Sequence, residues 1–312
     1  MINKEIINWL LEGDISIQYQ VHRDLLHDSI PELQNRIANE GWGEQFMAQR
    51  KPNGHWGIAF YQPKWISSHY TLLDLRNLCI SPNIQRISES IEKILRNDKG
   101  HDGGINPSGT VNKSDVCING MFMNYACYFR ASEELLKSVV DFVLSQQLPD
   151  GGFNCKFNRS GARHSSLHST ISVLEGFFEY RKQGYMYRLE EIQKMESESR
   201  EFILQHRLFK SDKTGKIIDK RMLILSYPSR WRYDILRAMD YFQYSGCPYD
   251  KRMDDAIDVI TKKQRKDKTW PLQAKHPGRT HFDMEKGGFP SRWNTLRALR
   301  VLKHFDLLHP QK

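Results

Sequence analysis

Between positions 114 and 168 the chain gathers side chains that can hold a metal ion. Ser114-Asp115-Val116-Cys117 supplies a carboxylate and a thiol, Phe153-Asn154-Cys155 a second thiol, and His164-Ser165-Ser166-Leu167-His168 two imidazoles. Zinc takes nitrogen and sulfur ligands, and catalytic zinc commonly keeps three protein ligands with one position open. His164 and His168 are four residues apart, so on a helix they share a face. Each residue alone has a plainer reading, because an Asp at a helix start is often an N-cap and a Cys often packs in a core. Jointly they point to Zn2+.

A second group stands where apolar helices are expected to begin. It comprises Trp65, His69 and Tyr70, then Arg230, Trp231, Arg232, Tyr233 and Asp234, then Arg292, Trp293 and Asn294. Guanidinium forks suit phosphate or carboxylate, and helix N-termini add partial positive charge. An anionic head group among aromatic walls is the expectation, with His69, Tyr70, Tyr233 and Asp234 as proton-transfer candidates. The plainer reading pairs Arg230 and Arg292 with carboxylates such as Asp234 or Glu285 and leaves the Trp residues in the core. Deeper on the same helices, Phe122, Tyr125, Phe177 and Phe242 would give an apolar pocket.

Two kinds of helix must position these residues. One is apolar with small and aromatic residues: 17–26, 68–78, 115–129, 167–180, 230–241 and 292–305. The other carries a charged stripe: 31–50, 85–96, 133–147, 189–205 and 252–265. The first kind is expected inside and the second facing water. They alternate, and a turn returns between them: Gln49-Arg50-Lys51-Pro52-Asn53-Gly54-His55-Trp56, Gln147-Leu148-Pro149-Asp150-Gly151-Gly152-Phe153, and Gln264 to Trp270 with Lys268 in place of Gly. Worn copies begin at Arg96 and Gln205. A period of 49 to 59 residues means a repeat architecture. Helix 3–12 would supply the missing outer member beside the last inner helix, closing the array into a ring. Pro-Ser-Arg-Trp recurs at 228–231 and 290–293, with Pro expected in the first turn of an inner helix. The expected fold is all-α, an (α/α)6 toroid in one domain over residues 1–312.

The Gln…Gly-x-Trp/Phe turns resemble the QW motifs of the terpenoid cyclase and protein prenyltransferase superfamily. The resemblance spans nearly the whole chain and implies an α6–α6 toroid with a central cavity. It implies that the Gln caps a helix end while the aromatic ring packs over the turn. Asp115 and Cys117 match the Asp-x-Cys of prenyltransferase β subunits, and the third zinc ligand falls on His168. The offset to Gly176 is one residue too long, which leaves His164 as a rival and Cys155 as a fourth ligand or a substitute. The implied function is a zinc-dependent enzyme acting on an apolar, isoprenoid- or lipid-like substrate with an anionic head group. Two alternatives stand beside it: a zinc-dependent peptide thiol cyclase, by similarity to lanthionine cyclases, and a non-catalytic scaffold for a lipid or protein partner.

Composition narrows the field. The chain has 312 residues, 27 % of them charged, with a formal net charge of +9. Its mean hydropathy is -0.63. No window holds 18 consecutive apolar residues, so no transmembrane segment is expected. No secretion signal is read at the start, and five Cys fit reduced thiols in a cytoplasmic setting. The basic residues are spread along the chain without a nucleic-acid motif, so no nucleic-acid partner is expected. Asp254-Asp255-Ala256-Ile257-Asp258 spells a magnesium motif but falls on a charged outer helix, where a solvated face is the better reading. The protonating Asp-x-Asp-Asp motif of squalene-type cyclases is absent, as are a P-loop and a dinucleotide-binding fingerprint.

Overall fold

The computed structural model describes residues 2–107, 113–155 and 161–308. Its inner layer consists of α2 (Ile15–Gln20, continuing π-wound through Val21–Leu26), α5 (Ser68–Asn77), α7 (Val116–Tyr128), α9 (Leu167–Lys182), α11 (Ile235–Tyr244) and α13 (Arg292–His304). Outside these lie α1 (Lys4–Leu11), α3 (Pro31–Arg36), α4 (Gly41–Ala48), α6 (Gln85–Asn97), α8 (Glu133–Ser145), α10 (Leu189–Gln205) and α12 (Asp254–Lys262). Neighbouring inner helices pack in the order α5, α7, α9, α11, α13, α2. The Gln20 amide then donates to the Asn77 carbonyl at 3.0 Å and joins α2 to α5. That closes the ring, so the expected toroid is the fold.

The repeat is held by one device used four times. The backbone N–H of the residue ending each turn donates to a polar side chain near the start of the next inner helix. Trp56 donates to Ser68 Oγ, Ile105 to Asn119 Oδ1, Phe153 to Thr170 Oγ1 and Trp270 to Thr295 Oγ1. These four acceptors are buried, and a buried polar group left unpaired is costly. Two residues before each of these N–H groups, the backbone turns through positive φ at Gly54, Gly103, Gly151 and Lys268. The indole N–H of Trp56 and of Trp270 caps the preceding outer helix by donating to the carbonyls of Phe46 and Ile260, each at 2.7 Å. Gln147 and Gln264 reach the turn carbonyls of Gly151 and Lys268 instead. The helix end is therefore capped by the indole, and the Gln braces the turn.

α7 and α9 approach most closely because each carries a glycine at the crossing. A Cβ on Gly176 would lie 2.5 Å from the Gly120 carbonyl oxygen, and one on Gly120 would meet Ser172 backbone at 2.7 Å. Three expected elements differ. The outer helix expected over 31–50 is broken into α3 and α4, because Gly41 turns at φ +62 against the Asp14 carboxylate that caps α2. The inner helix expected from Arg230 begins at Ile235, since Arg230 itself has φ 56 and the chain before it is an extended loop. Consequently neither Pro228 nor Pro290 sits in a first helical turn, and Pro290 pairs with Pro271 in a two-residue antiparallel ladder. Helix α1 packs on α2 and its π-wound extension, touching the last inner helix at its first residue, where Arg292 Nε donates to the Trp9 carbonyl.

Candidate functional site

The first turns of α5, α7 and α9, with the loops before α11 and α13, form one rim of the ring. A chamber there is lined by His168, Asp219, Trp231, Arg232, His276 and Asp234 among others, with ≈ 850 Å³ of empty space including its solvent-open part. Trp231 is half-buried and forms one wall. The Arg232 guanidinium lies 5.1 Å from the centre of its indole and the Lys64 ammonium 5.5 Å. Lys64 also lies 4.8 Å from the Trp65 ring, so one cation spans two indoles. Among the described residues, three buried polar atoms of residues lining this chamber have no protein hydrogen-bond partner: Trp231 Nε1, Arg232 Nε and His276 Nε2. Burial, with Arg232 and Arg230 nearby, holds His276 down at about 4, so its ring is neutral near pH 7.

Beside Lys64 the rim carries Asp115, Cys117 and Cys155. Asp115 occupies the N-cap position of α7 without capping it through its side chain. Its half-buried carboxyl is pushed up by desolvation, against which a hydrogen bond from the Cys155 thiol acts. The Cys117 and Cys155 sulfurs are 3.3 Å apart. Tyr61 feels all three of these groups and shares a 3.1 Å hydrogen bond with the Tyr70 hydroxyl.

The remaining residues of the expected zinc set do not join this cluster. His168 Nδ1 accepts from the Tyr233 backbone N–H at 2.8 Å, and its ring lies against Trp231, 5.4 Å between centres. Burial and the nearby Arg237 and Arg232 hold that imidazole down at about 4. His164 is exposed. Among the described residues no three His, Cys, Asp or Glu side chains converge to hold a metal ion. The sequence placed these groups on adjacent helix starts correctly, yet side-chain direction sent the imidazole toward α11.

The expected rim residues divide in the same way. Trp65, Trp231, Arg232 and Arg230 belong to the rim, and Arg230 is ion-paired with Asp74 while its guanidinium rests 5.7 Å from the Trp65 ring. Tyr70 and His69 lie beneath it, fully buried. His69 Nδ1 is bonded to the Tyr125 hydroxyl, and burial depresses the imidazole to about 3, so its ring is neutral near pH 7. Four others hold the fold. Tyr233 donates to the Leu208 carbonyl, Asp234 caps α11, Asn294 bonds the Leu225 and Pro271 carbonyls, and Arg292 is spent on Trp9 and α1. Trp293 is buried in a stack between Trp42 and Tyr227. Lys64, Tyr61, Asp219 and His276 lie outside the expected set, because the loops that deliver them have no periodic signal.

A second cavity, also ≈ 850 Å³ with its open part, runs inside the ring from Arg230 and Trp293 to the C-terminal ends of α2, α5 and α11. Arg23, Arg76, Arg230, Arg237, Arg297 and Arg300 line it. They pair with Asp24, Asp74, Glu175, Glu179 and Asp240.

No family model matches this chain, and no curated protein does. Among solved structures, it is similar to a protein described as glycosyl hydrolase family 88 from Bacteroides vulgatus, with a TM-score of 0.53 at 11 % identity. The match covers 96 % of this chain and 97 % of that one. At that identity the likeness speaks for the fold. It also corrects the family expectation, because the structure found similar is described as a glycosyl hydrolase family 88 protein and not as a terpenoid cyclase or prenyltransferase. With it goes the reading of a zinc enzyme acting on an apolar, anion-headed substrate: His168 and His164 stay apart from Asp115, Cys117 and Cys155.

Proposed function

We propose that the chain is a glycoside hydrolase whose ligand, a small hydroxyl-rich molecule, binds in the rim chamber. One observation carries this reading: Trp231 Nε1, Arg232 Nε and His276 Nε2 are buried without partners around a single cavity walled by an indole. Buried polar atoms are normally satisfied, so three around one cavity mark where a polar ligand would find hydrogen-bond partners. The solved structure named as a glycosyl hydrolase supports the reaction class.

Glycoside hydrolysis uses one carboxylic acid to protonate the leaving oxygen and one carboxylate on the other side of the bond. Asp115 suits the acid, because burial favours its protonated form and its side chain is not used as a cap. Asp219 suits the carboxylate, since hydrogen bonds from the Arg221 side chain and backbone hold it ionised. Five unpaired cysteines fit a reducing compartment.

The test is a panel of chromogenic glycosides with neutral and acidic sugars. Asp115→Asn should lower kcat by roughly 10²–10⁴-fold at little change in KM, while Trp231→Leu should raise KM. No turnover across the panel, together with no saturable quenching of tryptophan fluorescence by any sugar in it, removes the proposal.

A further inference from the structure

Five thiols are present, and two of them are neighbours. Cys117 stands on the first turn of α7, and Cys155 follows the turn that ends at Phe153, yet their sulfurs approach to 3.3 Å. Both residues are half-buried at the rim, so a small oxidant can reach them. The backbone on either side is held. Cys155 N–H donates to Asn154 Oδ1 at 2.9 Å, Asn154 Nδ2 donates to the His164 carbonyl at 2.8 Å, and the Cys155 sulfur lies 3.9 Å from Ser169 Oγ. Cys117 is fixed by α7 itself. The other three thiols have different surroundings. Cys79 accepts from Arg23, Cys247 from Arg200, and Cys127 is fully buried.

We propose that Cys117 and Cys155 are a dithiol site that hydrogen peroxide converts reversibly to a disulfide. To reach a bond of about 2.0 Å the sulfurs must close by little more than one ångström, which side-chain rotation alone can supply. The steps balance. The Cys155 thiolate attacks the peroxide, the O–O bond breaks, and one oxygen stays on sulfur as a sulfenic acid while the other leaves as water after taking up a proton. The Cys117 sulfur then attacks the sulfenic sulfur, the S–O bond breaks, and the second oxygen leaves as water. Two thiols are oxidised and one peroxide is reduced. A dithiol reductant reverses the change by exchange. The bridge would tie the start of α7 to the segment leading toward α9, across the whole of α8. Such a closed loop stabilises chiefly by restricting the unfolded chain.

The test uses the full chain, treated with a chelator and then titrated with hydrogen peroxide. Free thiols should fall from five to three, the five of the chain less this pair. The intact mass should drop by two hydrogens, a non-reducing peptide map should show residues 117 and 155 linked, and Tm should rise. Dithiothreitol should restore all of these. In Cys117→Ser the lone Cys155 should instead accumulate oxygen, because nothing resolves its sulfenic acid. Oxidation spread over all five thiols, or a map in which 117 and 155 remain unlinked after thiols are lost, overturns the proposal. The wild-type map decides this even if the variant does not fold. No step of the test depends on turnover, so it stands or falls apart from the hydrolase reading.

Discussion

Replacing Lys268 by Gly should make the protein more stable, although it deletes a long side chain and adds no contact. In the repeated turn, Gly54, Gly103 and Gly151 hold the backbone at φ of 84, 86 and 86, and Lys268 holds the equivalent place at 65. Each of these residues donates its N–H to the carbonyl three residues earlier: Gly54 to Lys51, Gly103 to Gly100, Gly151 to Leu148 and Lys268 to Arg265. An L-residue in the left-handed region loses about 1–2 kcal/mol to contact between its Cβ and the backbone. Gly escapes that cost, but its freer unfolded chain returns about 0.4–1 kcal/mol. The Lys268 side chain is exposed, and its carbonyl bond from Gln264 survives the change. The net expectation is a gain of about 1 kcal/mol. Urea denaturation measures it as a higher midpoint at unchanged slope. Lys268→Ala is the decisive control, because it removes the same side chain yet keeps the Cβ. Equal stability of the Ala and Gly variants would refute the backbone argument.

Asp98 is raised to about 6, chiefly by desolvation, with Lys93 acting against it. A carboxyl raised on folding contributes stability that is full below its ordinary 3.8 and is lost as pH rises through about 6. Asp98→Asn should therefore flatten that decline and stabilise the protein near neutral pH by about 1 kcal/mol, a figure discounted for partial exposure, as followed by Tm against pH. Arg76→Met strands the fully buried Glu179 carboxylate and should cost about 3–5 kcal/mol, whereas a double change to Met and Leu should recover most of the loss in the same denaturation assay. Gly176→Ala drives a Cβ against the Gly120 carbonyl oxygen, and overpacking of about 1–3 kcal/mol should outweigh a helix-propensity gain of about 1 kcal/mol, lowering Tm.

The ring was legible in the sequence because its period is written in residues with a mechanical reason to recur. Trp56 and Trp270 cap helices through their indoles, and Gly54 and Gly151 turn where a side chain is strained. Helix starts were legible only where the chain enters an inner helix directly. Ahead of α11 it wanders from Leu208 to Tyr233, and the copy of the turn expected at Gln205 is not completed by the side-chain tie seen in the other four. That excursion carries Trp231 and Arg232 into the chamber on a loop, where helical spacing says nothing about direction. The same gap explains His168. Its place at the start of α9 was readable, but the backbone N–H that captures its ring belongs to Tyr233, sixty-five positions later.

The two cavities illustrate why a site must be judged by its unmet demand and not by its charge. Six arginines around the inner cavity look like an anion trap. Yet five carboxylates pair with them. The cavity also reaches the C-terminal ends of α2, α5 and α11, whose partial negative charge favours cations there in their own right. Arg300 alone bonds Asp240, Asp24 and Gln20. Each of these six guanidiniums is ion-paired, and among their fully buried atoms only Arg76 Nε and Arg297 Nη1 lack a protein partner, so their charge is largely consumed in joining inner helices to one another. At the rim the balance reverses. Helix N-termini converge, Arg232 and Trp231 keep free N–H groups inside the wall, and His276 keeps a free ring nitrogen. A ligand in the inner cavity would compete for guanidiniums that carboxylates already engage. A ligand entering the rim chamber completes hydrogen bonds the fold leaves open, at Trp231 Nε1, Arg232 Nε and His276 Nε2.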